Sequence, residues 1–142
     1  MKKMMERFKN ERGLTLVELL AVVVILAIIG TIAFVLIGNI IENSRKDAHI
    51  ANAQQLIHAA KLYEADGGEV DGVTDTTLTE KDFLEPLINP WNTEDAYSGS
   101  VTKTEGGEYT VTLTSENEEC DLTDINEEDV LTKGRELCEN EG

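Results

Sequence analysis

Residues 14–38, LTLVELLAVVVILAIIGTIAFVLIG, decide the fold of this chain, because they form one long apolar segment near its N-terminus. From Leu19 to Gly38 there are 20 residues without a charge. At a helical rise of about 1.5 Å per residue this run spans roughly 30 Å, which matches the hydrocarbon thickness of a bilayer. The segment is therefore predicted to be a helix that can cross a membrane.

Charge is distributed unevenly on the two sides of this segment. Residues 1–13 carry five Lys and Arg against two Glu, whereas the chain from Leu14 onward carries seven against 26 Asp and Glu. Because positive flanks stay on the cytoplasmic side, we expect the acidic C-terminal part to be exported. A cleaved secretory signal fits poorly, since its apolar region is usually only about 7 to 15 residues long. A plain signal anchor explains the length and the charge asymmetry equally well.

One carboxylate, Glu18, stands at the head of the apolar run. A charge near membrane depth is costly and by default indicates a function with a specific partner. The alternative is that Glu18 lies at the membrane interface and reaches water.

The residues around Glu18, RGLTLVE at positions 12–18, resemble the cleavage and methylation motif of type IV prepilins and pseudopilins. The resemblance extends to about Tyr63 and is to pilins of the Gram-positive type. It implies that a prepilin peptidase cuts between Gly13 and Leu14 and that Leu14 is then N-methylated. It also implies that Glu18 pairs with the new terminal amine of a neighbouring subunit during assembly, which would relieve two charges at membrane depth.

Within this resemblance the fold is α+β and type IV pilin-like, with a long N-terminal hydrophobic helix packed on a small C-terminal antiparallel β-sheet head. Residues 1–13 are then a cleaved basic leader, and residues 14–65 are the long helix, transmembrane over about 14–38 and amphipathic beyond. Residues 66–142 are the exported head, with a hairpin and a C-terminal disulfide loop. Val35 departs from the family pattern, because many members have a helix-kinking Pro there.

The residues beyond the membrane segment support a continuing helix and a small head. An apolar stripe at three- and four-residue spacing predicts helix up to Glu64, ended by Asp66-Gly67-Gly68. Alternating residues predict a hairpin over 101–104 and 108–114. Further expectations are a short helix that begins at Thr79 and stops at Pro86, an acidic loop over 66–75, and a second short helix before Gly134.

Cys120 and Cys138 lie 18 residues apart in the part expected to be exported, where a disulfide can persist. The resemblance implies that they pair, because many pilins close a C-terminal loop in this way. Two unpaired thiols remain the alternative.

Residues for catalysis or metal binding are few. His49 and His58 are expected to be exposed residues of the long helix, and no carboxylate set fits a metal loop, so we expect no cofactor, no metal site and no enzyme activity. A net charge of −16 disfavours direct nucleic-acid binding.

The expected function is a structural subunit of a type IV pilus or pilus-like filament. Its implied partners are other copies of the chain and other pilins, the prepilin peptidase/methyltransferase, the assembly platform with its ATPase, and the membrane. The chain would be a single-pass cell membrane protein with a cytoplasmic N-terminus and then part of an extracellular filament. The alternatives are a pseudopilin of a competence DNA-uptake or type II secretion machine and, in another class, a single-pass membrane-anchored extracellular binding domain.

Overall fold

The computed structural model describes residues 2–94, 97–115 and 120–139, with side chains from Thr15 onward. The elements in chain order are helix α1 (Lys2–Ala65), strand β1 (Asp71–Thr74), helix α2 (Asp75–Glu80), strand β2 (Tyr97–Lys103), strand β3 (Tyr109–Ser115), strand β4 (Leu122–Asn126), helix α3 (Glu127–Lys133) and a 3-10 turn (Gly134–Cys138). The chain divides into two compact units, residues 1–41 and residues 42–142, and the second unit contains the head.

The head is built on one four-stranded antiparallel sheet with the strand order β1-β2-β3-β4. Its centre is the hairpin of β2 and β3, whose register runs without interruption from Tyr97 opposite Ser115 to Lys103 opposite Tyr109. Gly107 takes a positive φ of 85° in the connecting turn, a conformation that glycine adopts without strain. The predicted hairpin is confirmed, and β2 begins four residues earlier than the alternation indicates.

The second half of α1 packs its apolar stripe against this sheet. The stripe residues are buried, with at most 5% exposure: Ile50, Ala53, Leu56, Ile57 and Ala60. Val101, Val111 and Leu113 face them from the hairpin and are fully buried. A Cβ on Gly99 would come within 2.5 Å of Leu56 Cδ2, so the packing of Leu56 against β2 requires a glycine at this position. The α+β fold with a long helix on a small antiparallel sheet is thus confirmed.

Helix α1 ends through a glycine pair. Gly68 N–H donates to the carbonyl of Tyr63, and Gly67 has φ +98°, the left-handed region that favours glycine at a helix C-terminus. A side chain on Gly68 would collide with the Tyr63 ring. The turn at this point therefore requires both glycines.

The first short helix of the head was misplaced by the sequence pattern. Helix α2 begins at Asp75, where the Thr77 N–H donates to Thr74 Oγ1 at 3.2 Å, and it ends before Lys81. Thr79 does not cap a later helix, because its hydroxyl donates back to the carbonyl of Asp75. A positive φ of 61° at Asp82 then prevents the helix from continuing towards Pro86.

Two other expectations also need correction. The acidic segment over 66–75 is not only a loop, because Asp71–Thr74 form β1, which pairs with β2 and buries Val73. His49 is not an exposed helix residue, because it is fully buried against the rings of Trp91 and Tyr97. His58 is exposed as expected.

The second short helix is confirmed as α3. Its first turn is capped by Asn126, whose Oδ1 accepts the N–H of Asp129 at 2.7 Å, and Gly134 ends it with φ +52°. Strand β4, which ends at Asn126 directly before this helix, was not predicted from the sequence.

Candidate processing and assembly site

The apolar half of α1 exposes its side chains within the first unit. Every large apolar residue from Leu16 to Ile41 is at least 46% exposed, and Phe34 is 83% exposed. By length and composition the described helix from Thr15 is apolar enough to cross a membrane, and none of its most apolar window is buried. Leaving one such side chain in water costs about 1.5 to 3 kcal/mol, so covering this surface with a bilayer or with neighbouring helices would be strongly favourable.

The polar groups inside this apolar segment are few. Glu18 is the one charged side chain between Leu14 and Ile41, and it is exposed. The hydroxyl of Thr31 donates to the carbonyl of Ala27 at 2.8 Å, so this polar group is satisfied within the helix. Glu18 therefore carries the whole electrostatic cost of placing this segment in an apolar environment.

The expected processing site lies one helical turn from Glu18. The backbone of Gly13 and Leu14 is helical, and Leu14 and Glu18 are four residues apart, on the same face of α1. A carboxylate is also favoured in the first turn of a helix that would begin at Leu14, because the helix dipole places positive charge there.

In the head, polar contacts hold the loop before β2 against α1. Trp91 Nε1 donates to Glu42 Oε1 at 3.0 Å, and the Tyr97 hydroxyl lies 2.7 Å from His49 Nδ1. Asn52 Nδ2 donates both to the Tyr97 hydroxyl and to the carbonyl of Ile88, at 3.1 Å each. These contacts fix the loop along about ten residues of the helix.

Burial shifts the pKa of two of these side chains, His49 and Tyr97. Burial lowers the pKa of His49 to about 4, although the nearby Asp121 carboxylate and the backbone of Cys120 act in the opposite direction. Burial also raises the pKa of Tyr97 to about 12. Both side chains are therefore neutral at pH 7, which suits a role in packing.

A second polar group anchors the end of α1 to the hairpin and to α3. Glu64 accepts hydrogen bonds from Lys103 Nζ, at 2.6 Å, and from the Tyr109 hydroxyl. Lys61 Nζ lies 2.5 Å from Glu127 Oε1 and 5.0 Å from the centre of the Tyr109 ring. The hydrogen bonds from Lys103 and Tyr109 hold the pKa of Glu64 below its usual value.

The C-terminal part of the head is closed by a disulfide between Cys120 and Cys138. Both cysteines belong to the buried core cluster. The bridge joins the residue two positions before β4 to the last residue of the 3-10 turn, so the segment that contains β4 and α3 is closed into a loop.

Side chains suited to binding a metal ion do not come together in the described ranges. Among residues 15–94, 97–115 and 120–139 there is no group of three or more His, Cys, Asp or Glu side chains that could hold a metal ion. The two histidines also differ in environment, one being buried beneath aromatic rings and the other lying at the helix surface.

These features are typical of a class of proteins in which an apolar N-terminal helix continues into a small α+β head. A family model for the prokaryotic N-terminal methylation motif matches residues 8–34. This match supports membership of the type IV pilin and pseudopilin family. Comparison with curated proteins and with solved structures found no match.

The contacts of Glu42, His49 and Asn52 with the loop were not predicted from the sequence. Their only signal was that Trp91, the single tryptophan, follows an Asn-Pro turn typical of an aromatic anchor. The helix residues that Trp91 contacts depend on the path of the loop before β2, and local sequence patterns do not determine that path.

Proposed function

We propose that this chain is a structural subunit of a type IV pilus or of a pilus-like filament. The observation that carries the proposal is the methylation motif at residues 8–34, which leads into an apolar helix with an uncovered surface and then into a packed head. A helix of this kind is stored in a membrane and is covered by neighbouring helices when subunits assemble.

Processing would divide the chain into a basic leader, residues 1–13, a long helix, residues 14–65, and an exported head, residues 66–142. A prepilin peptidase would cut between Gly13 and Leu14, and methylation of Leu14 would follow. The partners would be other copies of the chain and other pilins, the assembly platform and its ATPase.

Glu18 would pair with the terminal amine of a neighbouring subunit at Leu14. In an apolar surrounding an unpaired carboxylate costs several kcal/mol, and an opposite charge within about 4 to 6 Å offsets this cost. The pairing would therefore set the axial position of each incoming subunit.

The test is to substitute Glu18 and to follow membrane insertion and filament yield separately. Glu18→Ala should leave the protein in the membrane fraction and abolish sheared filaments. Glu18→Asp, which keeps the charge on a shorter side chain, is the matched control and should retain part of the yield. Normal filaments from Glu18→Ala would contradict the assigned role of Glu18.

The same experiment separates the other candidate functions. A pseudopilin would give the processed chain without long surface filaments, and Glu18→Ala would block its machine. A single-pass anchored binding domain would keep residues 1–13 and would be insensitive to Glu18→Ala.

A further inference from the structure

The loop before β2 brings the single tryptophan to the part of α1 that directly follows the apolar segment. Trp91 donates its indole N–H to Glu42, and Glu42 is the first charged residue after the uncharged run that ends at Ile41. Four helical residues from Gly38 to Glu42 rise about 6 Å. The headgroup region on each side of a bilayer is about 5 to 8 Å thick, so Glu42 falls within it when the segment spans the membrane.

The side chains of Trp91, Glu42 and Arg45 have the chemistry that the headgroup region of a bilayer favours. The indole N–H is already bonded and the Trp91 ring is partly buried, so the part of the ring that remains accessible offers apolar surface to its surroundings. Arg45 lies 3.8 Å from the second oxygen of Glu42 and remains about 42% exposed. Its guanidinium keeps N–H donors that can bind a phosphate oxygen.

We propose that Trp91, Glu42 and Arg45 form a lipid-contact patch that seats the head on the headgroup layer before assembly. Tryptophan is enriched at membrane interfaces because its ring is apolar and its N–H is polar. Apart from Arg45 and Glu42, residues 42–142 carry six Lys and Arg against 24 Asp and Glu. An acidic surface is poorly suited to contact lipid phosphates, which favours the patch over the rest of this unit as the lipid contact.

This inference rests on the proposed insertion of α1 in a membrane, and it concerns the bilayer as the partner. Seating at the patch would hold stored subunits in one orientation relative to the membrane surface. It would also remove Trp91 from water until the subunit leaves the bilayer.

The test uses the fluorescence of Trp91 in the full chain, reconstituted in phosphatidylcholine vesicles. Emission is measured with acyl chains brominated close to the headgroup and with acyl chains brominated close to the bilayer centre. Trp91 should lose emission to the shallow bromine label more than to the deep label.

Two proteins with the tryptophan moved to exposed positions of α1 provide the references. The span reference is Phe34→Trp with Trp91→Phe, and the distal reference is Leu62→Trp with Trp91→Phe. Phe34 is 83% exposed and Leu62 is 59% exposed, so neither change disturbs the core. The span reference should lose emission to the deep label, and the distal reference should lose emission to neither label.

These references separate failure of the patch from failure of the proposed function. If Trp91 behaves like the distal reference while the span reference is quenched by the deep label, the chain is inserted and the patch proposal is wrong. If the span reference is not quenched either, the chain does not insert, and the patch is overturned together with the proposed function.

The phosphate contact has its own test. Arg45→Gln should reduce the loss of Trp91 emission to the shallow label, because the patch loses its cation. Lys81→Gln makes the same charge change two residues before Phe83, whose ring lies 5.5 Å from Tyr63 near the end of α1. This control should leave the loss unchanged, and equal effects of the two variants would contradict a contact between Arg45 and phosphate.

Discussion

Acidification should destabilise the head through His49. The pKa of His49 is about 4 in the folded head, against an ordinary value of 6.5 that applies to the unfolded chain. Above pH 6.5 the side chain is neutral in both states, so it adds no pH dependence. Between pH 6.5 and about 4 the unfolded chain takes up a proton that the folded head excludes, and the free energy of unfolding falls.

The size of this effect follows from the two pKa values. One pH unit between them corresponds to about 1.4 kcal/mol, so full titration lowers the free energy of unfolding by about 3 kcal/mol. Below about pH 4 both states are protonated, and His49 contributes no further loss. This is a large share of the roughly 5 to 15 kcal/mol that stabilises an ordinary domain.

The assay is urea unfolding of the full chain in mild detergent, followed by Trp91 fluorescence, because the Trp91 ring lies 5.4 Å from the His49 ring. Carboxylates as a class also change protonation in acid and affect both proteins alike. The informative quantity is therefore the difference in the free energy of unfolding between the unchanged protein and His49→Leu. That variant loses the contact with the Tyr97 hydroxyl at every pH, a constant cost of about 1 to 3 kcal/mol.

Relative to the unchanged protein, His49→Leu should gain about 3 kcal/mol of unfolding free energy between neutral pH and pH 4, because only the unchanged protein has the buried titrating ring. The variant should therefore be the less stable protein at neutral pH and should equal or exceed the unchanged protein in stability at pH 4. His58→Gln, at the exposed histidine of the same helix, is the matched control and should follow the unchanged protein. A difference that stays constant over this pH range refutes the argument from burial.

Three further predictions concern packing, the disulfide and charge. Leu56→Ala should lower the free energy of unfolding by about 2 to 5 kcal/mol, because Leu56 is fully buried, whereas Leu62→Ala at a 59% exposed position of the same helix should change it by less than about 0.5 kcal/mol; equal costs in urea titrations would contradict the core assignment. Replacing both Cys120 and Cys138 with Ser should cost about 3 kcal/mol, because the bridge closes a loop over a sequence separation of 18 residues; an unchanged urea midpoint would show that the bridge adds no stability. Sheared filaments should be more stable at high ionic strength, because salt screens the repulsion between acidic heads; filaments that sediment equally in low and high salt would contradict this reasoning.

Features that depend on local sequence periodicity were predictable. The apolar stripe of α1 repeats at three- and four-residue spacing, and the Thr-rich alternation of β3 has a period of two, so both elements followed from their patterns. The helix ends at Gly134 and at the glycine pair after α1 were also predictable, because glycine is favoured where φ is positive or where there is no room for a side chain.

Features that depend on tertiary contacts were not predictable in the same way. Strand β1 is only four residues long, DGVT, and is recognisable through its pairing with β2 rather than through a residue pattern of its own. His49 is polar and lies beside the apolar stripe, so its burial becomes evident only once the loop places Trp91 and Tyr97 over it. The start of α2 was decided by the hydroxyl of Thr74, a cap that competes with several nearby Thr and Asp residues of similar propensity.

The measurement that tests the central proposal most directly is the intact mass of the protein in material sheared from cells, compared with the membrane fraction. We expect a sheared species that begins at Leu14, is heavier by one CH2 because a methyl group replaces a hydrogen on the terminal amine, and is lighter by two hydrogens because of the Cys120–Cys138 bridge. A processed species found only in membranes would favour a pseudopilin or a minor subunit. An uncleaved chain that still begins at Met1 in every fraction would contradict the proposal of a processed filament subunit. It would favour a plain membrane anchor instead.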